Sequence, residues 1–265
     1  MLSVTQAQLQ AWVIAFMLPM TRILALITSA PFWSNRGISV RIRLAAGMAI
    51  GIAVLPALPE IRPFPADSWF ALGALMQEMM IGLAIGFAMR IFFAAVDLAG
   101  EMVGLQMGLS FAVFFNPQTG GQSSAIASLL TLTCTVIFVV MDGHLLLVEA
   151  LVRSFEWLPV AHLINPEGFA LISRSVVSVF ALGVLLTLPM VVTLMVTNIA
   201  LGVLTRAAPQ LNIFAVGFPV TISIGYLVLG YGLTFFGPLL EQIFHYGFES
   251  IDLMLKTLAT IPEMP

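Results

Sequence analysis

Charge is what this 265-residue chain has least of: Asp, Glu, Lys and Arg make up 9% of it, against 60% hydrophobic residues and a mean hydropathy of +1.06. A water-soluble globule needs about a quarter of its residues charged to dress its surface, so this chain takes the bilayer as its solvent. Cysteine is also scarce. The single Cys134 sits inside LTLTCTVIFVV, which excludes an internal disulfide and leaves the redox compartment unread. His144, His162 and His245 are scattered over separate segments, and the chain has no H-E-x-x-H, no cysteine pair and no G-x-x-x-x-G-K-[ST] loop. These absences exclude the familiar metal centres and phosphate cradles. They point away from an enzyme, and no catalytic, cofactor-binding or metal-binding residue is assigned. Nothing marks a nucleic-acid partner. No Lys or Arg precedes the first apolar run, and that run contains Arg22, so it reads as a retained helix and not a cleaved leader.

Long apolar runs are what the chain has in abundance. They lie near residues 11–31, 38–58, 69–95, 125–141, 176–205 and 213–240, room for about six spans of roughly 20 residues. The expected architecture is all-α: one polytopic helical membrane domain over residues 1–265, with long kinked helices and helical hairpins. The second run is short and ends in the proline-rich PALPEIRPFP, the fourth is near the lower length limit, and Pro189 predicts a kink in the fifth. Beyond Leu240 the pattern changes. Glu241, His245, Glu249, Asp252 and Lys256 fall at helical spacing opposite Ile243, Phe244, Phe248, Ile251, Leu255 and Leu258, an amphipathic helix with Asp252 and Lys256 as an i,i+4 pair.

The basic residues set the orientation. Arg36, Arg41 and Arg43 occupy the first connection without an acid, which places that connection in the cytoplasm and the N-terminus outside. Alternation then puts Arg90 and Arg206 inside and both termini outside. The fourth connection carries four acids against two bases and the tail four acids against one, as the outer side should.

Two kinds of residue within the apolar runs ask for a reason. Arg22 and Glu78 carry charge where insertion costs about 2.5–3.5 kcal/mol each, so both must face protein or water, with partners expected across an interface. Gly47/Gly51, Gly82/Gly86 and Gly100/Gly104/Gly108 repeat every four residues, baring one helix face for close approach of another backbone. Whether that backbone is internal or belongs to another subunit stays open. Arg90, Asp97 and Glu101 form one polar stripe, read first as facing a neighbouring helix. The stretch GLQMGLSFAVFFNPQTGGQSS, residues 104–124, changes from a glycine-lined helix to a bulky apolar cluster. It ends in Asn116-Pro117-Gln118-Thr119-Gly120-Gly121, which cannot continue a helix; a simple loop and a cavity-lining segment are both compatible with it. RAAPQLNIFAVGFP, from Arg206 to Pro219, reads as a tight hairpin turn.

Several short motifs, in order along the chain, carry a resemblance. They are Arg22 followed by Ser29-Ala30-Pro31, Arg41-x-Arg43, Glu78 before Gly82, and Asp97-Leu-Ala-Gly100 leading to Gln106-Met107-Gly108. Asn116-Pro117, Asp142-Gly143-His144-Leu145 and Arg206-Ala-Ala-Pro209-Gln210-Leu-Asn212 follow. From the N-terminal helix to about residue 240 the chain resembles the FliR/SctT family of type III secretion export-gate subunits. The block GHLLLVEALVRSFEWLP fits its flagellar branch better than its virulence (SctT-like) branch.

That resemblance implies a core subunit of the flagellar protein export gate, assembling with FliP, FliQ and FlhB in the bacterial inner membrane, within the flagellar basal body. It would help to form and plug a pore for unfolded export substrates, with no cofactor. It implies a FliP-like portion over about residues 1–175 and a FliQ-like hairpin over about 176–265, with much of the assembly raised out of the membrane plane. Residues 106–122 would be the pore plug, through Met107, Phe111, Val113, Phe114, Phe115, Asn116, Pro117, Gly120 and Gly121. Arg22, Glu78, Arg90, Asp97, Gly100, Gly104 and Gly108 would be subunit contacts. Arg206, Pro209, Gln210 and Asn212 would be a cytoplasmic hairpin tip facing FlhB. A virulence-type homologue is the first alternative; a secondary transporter fits less well, because no internal repeat is present. The amphipathic tail matches no family motif.

Overall fold

A computed structural model describes residues 5–34, 37–58, 68–109, 124–210 and 213–260. No β-strand occurs among the described residues. The helices are α1 (Gln6–Ser29), α2 (Val40–Val54) with a 3₁₀ turn at Leu55–Ala57, α3 (Trp69–Gln106), α4 (Ala125–Val140), α5 (Gly143–Trp157), α6 (Glu167–Ala207) and α7 (Ile213–Ala259). By length and composition α1, α3, α6 and α7 can cross a membrane, and a fifth span is counted if α4 and α5, broken at Met141–Asp142, act as one. Six full spans are therefore not met among the described residues. The shortfall is α2, whose 15 residues reach only about 22 Å.

Three differences from the sequence reading arise because helical backbone hydrogen bonding continues, or resumes after a break, where side-chain polarity changes. The third run extends beyond residue 95 to Gln106. The tail is no separate helix, because α7 runs unbroken through Pro219, Pro238 and the polarity change at Leu240. The connection after α4 holds a further helix, α5, which buries Leu147, Ala150, Leu151, Ser154 and Phe155. Its amphipathic pattern includes Glu149, Arg153 and Glu156, so it reads as a loop if only long apolar runs are sought.

By contact the chain forms two compact units. The first comprises Met1–Ile91, Asp142–Ser175 and His245–Pro265. Here α1 and α2 form an antiparallel pair: Gly47 faces Leu24 and Ile27, while Gly51 faces Met20 and Ile23. Helix α2 starts at Ser39, whose hydroxyl accepts the Ile42 N–H, an ordinary N-cap. Helix α3 lies parallel to α1, and two glycines set its distance. A Cβ on Gly82 would collide with the Arg22 carbonyl, and one on Gly86 would lie 2.8 Å from the Ala30 nitrogen and 2.9 Å from the Leu26 carbonyl oxygen. Backbone meets backbone there, as small-xxx-small spacing allows. Ile14, Leu18 and Ala74 are buried together, with Leu75, Val160 and Ala161 packed against them. The end of α7 completes this unit by burying Ile251, Met254, Leu255 and Leu258. The amphipathic reading of that stretch holds, but its ion pair is different. Asp252 approaches Arg153 of α5 at 3.8 Å, and Lys256 lies 5.3 Å from the centre of the Trp157 ring. Arg153 is held more closely by Glu149 of its own helix, at 2.5 Å, so Asp252 is a second, looser carboxylate beside it.

The second unit comprises Phe92–Met141 and Val176–Phe244. Helix α4 packs antiparallel on the end of α3, with Gly100 against Ala127 and Gly104 against Ser124. Phe93, Phe138 and Phe244 form a ring cluster with centroids 5.1–5.6 Å apart. Helices α6 and α7 pair as an antiparallel hairpin in which Gly232 admits Met190. Its outer faces stay apolar and exposed, among them Val177, Phe180, Leu185 and Val203 on α6 and Leu227, Tyr231 and Phe235 on α7.

The contact at Gly82 gives a contrast to measure. Gly82→Ala should lower the stability of the detergent-solubilised protein by about 1–3 kcal/mol. Gly73→Ala, with nothing within 4 Å of the added methyl, should hold stability or raise it by up to about 1 kcal/mol. Tryptophan-fluorescence melts of the two variants side by side check this.

Candidate functional site

Arg22 and Glu78, far apart in sequence and each expected to seek a partner across an interface, are each other's partner inside the first unit. Both are fully buried. The Arg22 guanidinium donates Nε–H to Glu78 at 2.7 Å and Nη2–H to the other carboxylate oxygen at 3.0 Å, a bidentate fork. Nη1 donates to the carbonyl and hydroxyl oxygens of Ser154, both at 3.0 Å, and Nη2 also to the Leu158 carbonyl at 3.0 Å. The five N–H donors of the guanidinium are thereby used, and the Phe155 ring stacks on it at 4.1 Å. One residue before Glu78 on α3, the Gln77 side chain donates to the His162 carbonyl at 2.7 Å. A charged pair thus ties α1, α3 and the end of α5 together. Ser154 and the Leu158 carbonyl were not foreseen: a serine in a mixed polar helix and a backbone group leave no mark in sequence.

The polar stripe of α3 divides. Asp97 accepts the Thr131 hydroxyl and Glu101 accepts the Ser124 N–H at 2.8 Å, both from α4, whereas Arg90 is exposed. The acids therefore face a neighbouring helix, as expected. The glycine face of the same helix is filled from within the chain: Ala127 lies at Gly100, Ser124 at Gly104 and Phe218 at Gly108.

Of the proposed plug residues, Met107 is described. It is fully buried, lying against Gly225 of α7, and its carbonyl accepts the Thr221 hydroxyl at 3.5 Å. Gly108 then takes φ +78°, the left-handed conformation that ends helices and favours glycine. Leu109 N–H closes that end on the Gly104 carbonyl at 3.0 Å. Ser124, where the described chain resumes, caps α4 by accepting the Ala127 N–H at 3.1 Å. Both flanks of residues 110–123 are therefore fastened to α3, the upstream one through α7 as well. Phe111, Val113, Phe114, Phe115, Asn116, Pro117, Gly120 and Gly121 lie outside the described residues, as does Asn212 of the hairpin tip. Arg206, Pro209 and Gln210 of that tip are exposed, with Ala208 N–H bonded to the Leu204 carbonyl at 2.9 Å.

Long apolar helices, glycine-mediated crossings and a buried, fully bonded ion pair define a polytopic helical membrane protein. The chain belongs to the bacterial export proteins, family 1, whose family model matches residues 13–247. It is 36% identical over 263 residues to the flagellar biosynthetic protein FliR of Escherichia coli (strain K12), covering 99% of each chain. Its identity to the flagellar biosynthetic protein FliR of Pectobacterium carotovorum subsp. carotovorum is 38% over 250 residues, covering 94% of this chain and 95% of that one. To the protein of the same name in Bacillus subtilis (strain 168) it is 26% over 245 residues, covering 91% and 94%.

Glu78→Gln removes one charge of the pair and strands the guanidinium, so it should cost about 3–5 kcal/mol. The double variant Arg22→Met/Glu78→Leu, which leaves no buried charge, should be far closer to the parent. Thermal unfolding of the three proteins in the same detergent tests the order.

Proposed function

We propose that this protein is a core subunit of the flagellar type III protein export gate, helping to form and plug the pore through which unfolded flagellar proteins leave the cell. Its partners are FliP, FliQ and FlhB, and its place is the inner membrane within the basal body. The observation that carries the reading is similarity to flagellar biosynthetic proteins FliR along almost the entire chain. Relatives from distant bacteria carry the same flagellar name, which favours this branch over a virulence-type gate.

Helix dimensions add support. Helices α3, α6 and α7 have 38, 41 and 47 residues, or about 57–70 Å at 1.5 Å per residue, roughly twice the thickness of a bilayer core. Apolar helices of that length need protein cover for part of their course, and the exposed faces of the α6–α7 hairpin are suited to similar helices from neighbouring subunits. This hairpin is the FliQ-like portion of the reading, and the FliP-like portion precedes it. Arg206, Pro209 and Gln210 form the cytoplasmic tip toward FlhB; the parallel course of α1 and α3 fits both running inward from outside. Arg90, exposed on α3, is the member of the polar stripe free to meet a neighbouring subunit. In native mass spectrometry the protein purified with the FliP and FliQ of its own organism should appear in a defined hetero-oligomer. A persistent monomer that takes up solute in liposomes would overturn the reading in favour of a transporter.

Residues 106–122 are the plug in this reading. A conduit wide enough for an unfolded polypeptide must exclude water at rest, which a cluster of phenylalanines does by dewetting. Fastened flanks suit such a role: the segment can be displaced by a passing chain while Met107 and Ser124 keep their places. Deleting Phe111 to Gly120, or changing Phe111, Phe114 and Phe115 to Ser, should leave assembly intact and raise membrane conductance. An assembled deletion variant with parental conductance in a planar bilayer sinks the plug.

A further inference from the structure

The segment from Arg153 to Gly168, the end of α5 and the turn that leads into α6, is gripped from two sides by parts of the chain made at very different times. From the N-terminal side, Arg22 holds the Leu158 carbonyl at 3.0 Å and Gln77 the His162 carbonyl at 2.7 Å. From the C-terminal side, the Leu258 carbonyl accepts the Asn165 N–H at 2.9 Å. Leu258 also sits so close over Gly168 that a Cβ there would stand 2.9 Å from the Leu258 nitrogen. Asp252 and Lys256 add the contacts to Arg153 and Trp157. Past Leu158 the segment's own bonds are all short-range: His162 N–H to the Pro159 carbonyl at 3.1 Å, Gly168 N–H to the Asn165 carbonyl at 3.2 Å and Glu167 N–H to the Asn165 side-chain oxygen at 3.0 Å. Ala161 sits at φ +62°, a conformation a non-glycine residue keeps only when its surroundings impose it.

Chain order gives this arrangement a consequence. When Leu158 is made, Arg22 and Glu78 already exist, but residues 176–244, which follow, belong to the other unit. The second grip forms only when Leu258 is made, and distant closures of this kind are late events in folding. We propose that residues 245–259 are a closing strap: they seat on the Arg153–Gly168 segment and lock it to the N-terminal helices, so that the first unit stays open in any chain lacking them. The amphipathic face of α7 is thus spent on this chain and not on a lipid surface.

Limited trypsin digestion of the solubilised protein, followed by mass spectrometry, reads the strap at Arg153, with cleavage at Arg206 in the second unit as the internal reference. A chain ending at Phe244, and the full chain carrying Gly168→Leu, should each be cut at Arg153 about tenfold faster or more, with Arg206 unchanged. A synthetic peptide of residues 245–260 should restore protection to the shortened chain. Parental cleavage at Arg153 in both variants overturns the strap. So does a rise at Arg153 and Arg206 in step in both, which means that the tail holds the whole molecule and not this segment.

Discussion

A charge that cannot reach water organises the first unit. Arg22 is sealed inside, and a guanidinium in such a place is tolerable only if a carboxylate and enough oxygens surround it. Glu78 of α3 supplies the countercharge, and Ser154 and Leu158, both at the end of α5, supply the remaining oxygens. Satisfying one side chain therefore fixes three elements at once. Apolar packing alone is a poor source of such uniqueness where lipid and neighbouring proteins are as apolar as the helices themselves.

Glycine makes that arrangement possible. The carboxylate can grip the guanidinium only if α3 runs close beside α1, and the distance is set at Gly82 and Gly86, where a methyl group would meet backbone. The second unit uses the same device at Gly100 and Gly104 but spends it on α4, so the bare faces visible in the sequence are occupied inside the chain. What remains uncovered includes the apolar outside of the α6–α7 hairpin, much of α2 and the outward faces of α1, α3 and α4. For a member of an export family, those are the surfaces left for neighbours and lipid.

The class of fold was legible because the bilayer imposes it: with so little charge and such long apolar runs, helices are the available answer. Element ends were less so. Helix α5 was missed because its charges interrupt the apolar count while its buried stripe follows a 3.6-residue period, and the tail looked separate because polarity, not backbone, changes at Leu240. At the site, Arg22 and Glu78 announced that each needed a partner, yet nothing in one sequence joins residues on different helices. Ser154 gave no sign at all. The glycine faces were plain to see, but their occupants Ala127 and Ser124 lie on another helix, and spacing does not say whether a neighbour is internal.

Length itself is constrained by geometry along one stretch of this chain. Glu78, Gly82 and Gly86 share a face of α3 because they are four residues apart, and they meet α1 in the same direction: Glu78 at Arg22, Gly82 at Arg22 and Ala25, Gly86 at Leu26 and Ala30. One residue inserted between Glu78 and Gly86 would turn everything beyond it by about 100°. Either the carboxylate would leave the guanidinium or a bulkier side chain would be driven into the α1 backbone. Substitutions can drift along these two helices wherever side chains face outward, but an insertion or deletion there cannot be absorbed, and evolution must confine changes of length to the connections.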